Sequence, residues 1–566
     1  MDFQVFLDIA TVALRMLLPV YAVFIIYQCF ASMRRHRRPE KPLVTLEIKH
    51  TGQKIPVLFW ENSIGRSRGS DIVIADSTVS RDHCVLLRRA EGWFVSDIGS
   101  KSGTFINGKE TLVREKVLID DEITVGTTTM VLKRGDEYNE RLRPSWFFSK
   151  ASDKGSLQPY KLMILITLFH VFMAVEACFS NEVQDLTPLI VAGILETVMW
   201  IFFVISSYAF NRVNFELEAL GLFLSGIGVM LLVRQELRSA FVQLIAMTIG
   251  LILFSFLVKF IENPDRVNSW RMAIMIGAIG LLGINIIFGR VQNGAANWIN
   301  IGGISVQPSE FVKIAFIFVG AAALDRLQTK RNFIEFIIFS AVCVGALALM
   351  GDFGTALIFF ATFLLIAFMR SGDFKTVILA VAAAVFAGIM VLKFKPYVAN
   401  RFAAWGHVWE NAQGSAYQQA RTLTYTASGG LFGVGTGNGY MKYIFASESD
   451  LVFGLVAEEL GVIIAFAIAI AIVALAFYSR AITTRSRSTF YSISACCAAG
   501  LMVIQTALNV FGATDILPLT GVTLPFISAG GSSIISCWGL LAFIKAADER
   551  TYAQKRIQRR AKEDER

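Results

Sequence analysis

Tyr397–Phe453 reads YVANRFAAWGHVWENAQGSAYQQARTLTYTASGGLFGVGTGNGYMKYIFASESDLVF and lies between two hydrophobic runs of membrane-spanning length. A connection that long inside a compact chain is either functional or disordered. This one is rich in Trp, Tyr, Phe and Gly and poor in charge, so it is able to pack. Asp450 stands near its end, immediately before a hydrophobic helix, at the depth where a membrane protein meets a lipid head group. Alone, such an Asp reads as a helix cap. The flanking runs decide the fold, and they give Asp450 a second reading.

Of the 566 residues, 54% are hydrophobic and 17% charged, with a mean hydropathy of +0.56. These values specify a polytopic α-helical membrane protein rather than a large soluble one. The formal charge of +9 fits cytoplasmic loops beside anionic lipid. No basic groove interleaved with aromatic residues occurs outside short loops, so no nucleic-acid partner is expected. The seven cysteines are scattered, and none of the five histidines pairs with another His or a Cys at ligand spacing, so no metal site is assigned.

Outward from the long stretch, apolar runs alternate with short polar loops. Twelve spans are expected, at about 161–179, 187–209, 216–233, 239–258, 271–288, 308–325, 333–350, 353–369, 374–393, 453–478, 490–512 and 523–545. An N-terminal anchor within residues 1–33, followed by MRRHRR, brings the total to about 13 transmembrane helices. Arg15 inside that run counts against an anchor unless it faces a protein partner. Lys and Arg concentrate on alternate connections, namely NRVNFELE, KFIENPDRVNSWR, DRLQTKRN, RSGDFK, SRAITTRSRS and the tail, with only RQELR running against the pattern. These connections are therefore expected inside, and the long loop with Asp450 outside. The domains follow: residues 1–33 anchor, 43–134 a β domain, 135–158 a polar linker, 159–547 the polytopic domain and 548–566 a basic cytoplasmic tail.

Residues 43–134 change character. Short alternating or β-branched runs such as LVTLEIK, HCVLLRR and EITVG recur between Gly, Asn and Asp turns, the signature of a small all-β sandwich. Its loops carry GRSRGSDIVI (Gly65–Ile74), VSRDHC (Val79–Cys84) and DIGSKSGTFING (Asp97–Gly108). On these motifs the segment resembles a forkhead-associated (FHA) domain, a phosphothreonine reader on the cytoplasmic side. The resemblance puts Arg66, Ser80, Arg81, Lys101 and Ser102 at the phosphopeptide and gives His83 a bracing role. Ser102 stands where the family usually has Asn.

Four motifs share the outward face: NGAANWINIGGISVQPSEFVK (Asn293–Lys313), GDFGTAL (Gly351–Leu357), SESDLVFGLVAEELG (Ser447–Gly461) and LPLTGVTLPFISAGGSS (Leu517–Ser533). Non-helical backbone at membrane depth is tolerated where it lines a cavity or is buried in protein. Helix N-termini facing that cavity offer N–H groups to phosphates. The expected result is a cleft for an anionic lipid head group.

In this order the motifs resemble the SEDS family of FtsW, RodA and SpoVE type, the peptidoglycan polymerases, over roughly residues 270–545. The resemblance implies glycosyl transfer on lipid II in cell division or elongation, with a class B penicillin-binding protein as partner. It makes Asp450 the catalytic acid residue, places Trp298 in the first loop, matches Glu310 and Lys313 to a buried charged pair, and makes Asp352 a second loop acid. Gln307, Ser528 and Gly530 join the substrate set from the same motifs, and Tyr417 and Gln418 from a Gly-Tyr-Gln element of the long loop. Departures are Asn297 for Arg, Phe445–Ala446 for Pro-Glu, Glu448 for His and Ala416 for Gly.

Such a transfer needs a base for the acceptor hydroxyl, here Asp450, and stabilisation of the departing diphosphate. Arg401, Lys442 or a divalent cation (Mg or Mn) would supply the latter. The Glu310–Lys313 pair reads as fold-holding rather than catalytic. Trp298 has an interfacial-anchor reading beside its functional one, and Glu458 and Glu459 either line the cavity or pair with a neighbouring helix. Two rival functions use the same features: a transporter of the lipid-linked precursor, and a non-catalytic scaffold that docks a phosphoprotein.

Overall fold

The structure is a computed structural model that describes residues 3–35, 44–57, 61–67, 70–89, 92–111, 114–134, 158–180, 185–208, 214–292, 295–301, 304–323, 330–371, 374–394, 396–483, 488–548 and 551. All but the last residue of the expected linker and nearly all of the basic tail lie outside these residues.

Residues 44–134 form the expected sandwich. A six-stranded sheet, with Val44–Ile48 and Thr128–Arg134 paired antiparallel at its centre, faces a five-stranded one that includes Glu61–Gly65 and Cys84–Arg89. The period-2 pattern sends Leu46, Ile64, Leu86, Val95, Ile123 and Leu132 into a shared core separate from that of the helices. Glu61 joins the two parts. Its Oε1 is paired with Arg89 (2.8 Å) and its Oε2 accepts the N–H of Thr489 (3.0 Å), the first residue of a membrane helix. A carboxylate there meets free amides and the positive end of the helix dipole.

Sixteen α-helices occur among the described residues. They are α1 (Phe3–Arg35), α2 (Pro159–Phe179), α3 (Thr187–Tyr208), α4 (Glu216–Val233), α5 (Leu237–Phe260), α6 (Pro264–Phe288), α7 (Pro308–Ala323) and α8 (Lys330–Leu349). The second half comprises α9 (Phe353–Ser371), α10 (Phe374–Phe394), α11 (Pro396–Ala404), α12 (Tyr417–Gly429), α13 (Val452–Glu459), α14 (Val462–Thr483), α15 (Thr489–Ala513) and α16 (Gly531–Ala547). Nine of the described helices are long and apolar enough to cross a membrane: α1 to α6, α8, α14 and α15. Segments Phe353–Met369 and Gly531–Ala547 are shorter apolar helices. α16 is buried along its length, and Trp538 on it packs edge-on against Phe202 and Phe254. Gly221 and Gly250 let that indole approach, since a Cβ on either would meet its ring at 2.9–3.0 Å.

Two expected spans are corrected. The run 453–478 is two helices, α13 and α14, broken at Gly461 with φ +93°. A Cβ on Gly461 would lie 2.3 Å from the Leu431 carbonyl, so the break is where the long loop folds back against the bundle. The run 523–545 becomes helical only at Gly531, and residues 514–530 cross the site as irregular chain. The long stretch itself contains α11 and α12, and Arg290–Gln292, Ala295–Ile301 and Ile304–Val306 pair as a three-stranded sheet.

Candidate functional site

These breaks gather the loop motifs around one cavity of about 920 Å³. Asn297, Trp298, Gln307, Glu310, Lys313, Asp352, Arg401 and Asp450 all line it. Apolar side chains of α8, α9 and α10, including Val344, Phe360 and Val391, make up much of the remaining wall.

Asp450 sits in a tight turn opened by Ala446 at φ +59°, whose carbonyl accepts the Asp450 N–H (3.0 Å). Asn509 of α15 holds the turn from below, donating to the carbonyls of Asp450 (2.9 Å) and Val522 (2.7 Å). Ser528 donates to the Ser449 carbonyl (2.6 Å) and Ala529 N–H to the Glu448 carbonyl (2.8 Å). Gly521, at φ +68°, leaves room for the carboxylate: a Cβ there would lie 3.2 Å from Asp450 Oδ2. Burial raises the Asp450 carboxyl above its ordinary value, a hydrogen bond from Ser449 and the Arg401 charge pull against that rise, and the Asp352 charge adds to it. Burial also raises Glu448, with help from the Glu236 charge.

Asp352 begins α9. Its Oδ1 accepts the Thr355 N–H (3.0 Å), while Oδ2 accepts from Asn297 (2.8 Å) and Gln307 (3.1 Å). It therefore caps one helix and ties the Trp298 strand to the start of α7. Glu310 and Lys313 are paired at 2.8 Å, and Lys313 also reaches Gln505 Oε1 (3.1 Å). Gln505 in turn donates to the carbonyl (2.9 Å) and hydroxyl (2.8 Å) of Thr523. This buried chain fixes the irregular segment that carries Gly521 beside Asp450. Arg401 donates to the Leu519 carbonyl (3.3 Å), which anchors it at the cavity wall.

Other predicted residues lie elsewhere. Lys442 places its ammonium on the Gly437 carbonyl (2.7 Å) and does not line the cavity. Tyr417 is exposed under Arg421, and Gln418 donates to the Phe445 carbonyl (2.7 Å). Ser528 and Gly530 act through the loop behind Asp450, where Gln243 bonds both the Ser528 carbonyl (2.9 Å) and the Gly530 N–H (3.2 Å). Glu458 and Glu459 do not line the cavity: both accept backbone amides of the Gly-rich loop, and Glu459 also accepts from Gln235 at the turn between α4 and α5 (2.5 Å). Asn509 and Gln505 were missed. The only signal for them was a polar side chain inside an apolar run.

Among the described residues no three His, Cys, Asp or Glu side chains come together.

On the sandwich, Arg66, Arg81 and Lys101 are exposed at one end around a half-buried Ser80. Ser80 Oγ accepts the Lys101 N–H (3.0 Å), and its N–H donates to His83 Nδ1 (3.1 Å). His83 is fully buried and its Nε2 contacts the Gly103 carbonyl (3.0 Å), so it braces two of the three loops. Ser102 donates to the Thr78 carbonyl (3.1 Å).

The cell cycle protein family model FtsW/RodA/SpoVE matches residues 217–553, and the FHA domain model matches residues 62–126. The chain is 31% identical over 293 residues to a probable peptidoglycan glycosyltransferase FtsW of Buchnera aphidicola, covering 50% of this chain and 73% of that one. It is 30% identical over 329 residues to the Bacillus subtilis protein of the same name, covering 53% and 79%. Among solved structures it is similar in fold to a chain of a peptidoglycan synthase complex, at 22% identity and a TM-score of 0.50 over 58% of this chain and 96% of that one.

Proposed function

We propose, from the premise that the chain belongs to the FtsW/RodA/SpoVE family, that it is a membrane peptidoglycan glycosyltransferase whose substrate is lipid II. The observation that carries this is Asp450: a half-buried carboxylate with a raised proton affinity, on a turn held by four backbone contacts at a cavity that Arg401 also lines. Asp450 takes the proton of the acceptor hydroxyl as its oxygen bonds to the anomeric carbon. The bond from that carbon to the diphosphate breaks, and the diphosphate leaves with the electron pair toward the Arg401 guanidinium. The apolar walls from α8 to α10 suit a lipid chain that stays in the bilayer while its head group reacts. Purified protein given lipid II should form glycan strands. Translocation of lipid II across vesicles without strand formation would favour the transporter instead.

The cavity mouth faces outward and the sandwich lies in the cytoplasm, a reading supported by the Lys and Arg of alternate loops. In intact cells an impermeant thiol reagent is expected to label Ser415→Cys and not Ser67→Cys. The reverse pattern would put the cavity on the cytoplasmic side.

The sandwich reads phosphothreonine on a partner protein of a Ser/Thr kinase pathway. Three exposed cations around Ser80, with a hydroxyl and loop amides, make the donor set a phosphate requires. Arg66→Ala is expected to lower affinity for a phosphothreonine peptide by about 1.5–3 kcal/mol, the scale of a charge-assisted hydrogen bond. Titration calorimetry on residues 43–134, which have their own core, measures it. Equal binding of the unphosphorylated peptide would remove the assignment. A class B penicillin-binding protein is the proposed transpeptidase partner of the polytopic domain.

A further inference from the structure

Helices α1 to α3 precede the family-matched residues 217–553, yet two of them reach the loop that leads to Asp450. Arg15 of α1 donates to Glu176 Oε1 of α2 through Nε (3.3 Å) and Nη2 (3.2 Å). Glu176 is buried, and its Oε2 accepts the N–H of Thr436 (3.2 Å). At the end of the same helix Ser180 donates to the Thr436 carbonyl (2.9 Å) and accepts from Asn438 (3.0 Å).

The loop fits this clamp closely. Gly435, at φ +101°, has no space for a side chain: a Cβ would lie 2.3 Å from Arg15 Nη2 and 2.7 Å from Glu176 Oε1. The opposite side of the loop is held within the family-matched segment. Gly437 N–H donates to Glu459 Oε2 (3.0 Å), and the Tyr440 and Met441 amides donate to Glu458 (2.8 Å each). Three buried carboxylates therefore take up the amides of a Gly-rich strip, and only Glu176 brings its own cation from another helix. That strip leads through Lys442 and Phe445 into the turn at Ala446 that presents Asp450.

We propose that Arg15 and Glu176 are positioning residues for the transferase, an intramembrane ion pair from helices outside the matched family segment that sets the Gly433–Lys442 strip and, through it, the Asp450 turn. The inference rests on the reading of Asp450 given above. Intramembrane charges pair because a lone one is costly, but this pair spends its second carboxylate oxygen on a loop amide rather than on another helix. That is the arrangement by which a supporting shell fixes a reacting group.

The test uses the full-length protein in detergent with lipid II as substrate, and a nitroxide label at Tyr443→Cys. Position 443 is exposed, whereas six of the seven native cysteines are buried and Cys496 half-buried, so the label goes to the loop. Arg15→Met is expected to raise nitroxide mobility at 443 and lower kcat on the order of tenfold, with KM changed by less than about twofold. Arg15→Lys should recover at least half of the lost rate. The double variant Arg15→Met/Glu176→Ala leaves no stranded buried charge, so it should fold as the parent does and still show the mobile loop and low kcat. Unchanged mobility at 443 in the double variant overturns the clamp. A mobile loop with parental kcat overturns its role in positioning. Failure of the parent itself to polymerise lipid II strikes the functional reading alone, because label mobility still decides the clamp.

Discussion

Asp450→Asn is expected to cut polymerisation of lipid II by purified protein about a hundred- to ten-thousandfold, the share that a general base supplies. The substitution keeps the shape of the side chain and, through backbone contacts from Asn509 and Ala446, the turn. Lipid II binding should therefore survive while turnover is lost. Glu448→Ala should cost far less, because Glu448 does not line the cavity and contributes its backbone carbonyl. The pH dependence gives a second reading of the same group. Since burial raises the Asp450 carboxyl, its base form is lost at a higher pH than for an ordinary carboxylate as the solution is acidified. The acid limb of the rate should accordingly lie above the usual carboxylate range. Arg401→Gln removes the charge that holds the group down and should move the limb further up. Asp352→Asn removes a charge that pushes it up and should move the limb down. A limb that ignores both variants, or substantial turnover by Asp450→Asn, would take Asp450 out of the chemistry.

The second large effect is on stability. Lys313→Met should destabilise the protein by about 3–5 kcal/mol, because it strands the Glu310 carboxylate in a buried setting. Both members of the pair are nearly inaccessible, with side-chain exposures of 2% for Lys313 and 4% for Glu310. The loss spreads further than one contact. Gln505 bonds both Lys313 and Thr523, so the segment carrying Gly521 loosens with it. Glu310→Gln/Lys313→Met removes both charges and should recover most of the lost thermal stability in detergent, along with measurable polymerisation. A double variant that folds normally and is inactive would show that the pair acts on the substrate rather than on the fold.

The sandwich was legible because its cues are local: a two-residue period, turn residues, and loop motifs only a few residues long. The cavity was legible as a set of motifs but not as a geometry. Asp352 was read as a substrate contact, yet both of its oxygens are engaged by Thr355, Asn297 and Gln307. Lys442 is one of three candidates for the diphosphate, beside Arg401 and a divalent cation, and its ammonium faces a carbonyl within its own loop. Hydropathy joined α13 to α14 because a glycine in the left-handed region costs a hydrophobicity average almost nothing, while in space it reverses the packing. Arg15 and Glu176 were unmatched in the sequence because 161 residues, including the whole sandwich, separate them. Nothing in a pattern with a period of a few residues can pair them.

The Glu61 cap on α15 sets a reach. Thr489 opens a membrane helix, and the strand that carries Glu61 ends at Gly65, one residue before Arg66. At about 3.3 Å per residue that is roughly 15 Å of chain between the bilayer edge and the phosphate loop. On the proposed phosphothreonine reading, a ligand offers its phosphate close to the membrane surface. On that reading, a kinase substrate held there by its own anchor meets this demand at almost no search cost, whereas one modified at the tip of a long soluble arm must fold that arm back. The selectivity of the sandwich is then partly altitude: which threonines it reads depends on how far from the lipid they stand, before any side chain beside them is compared.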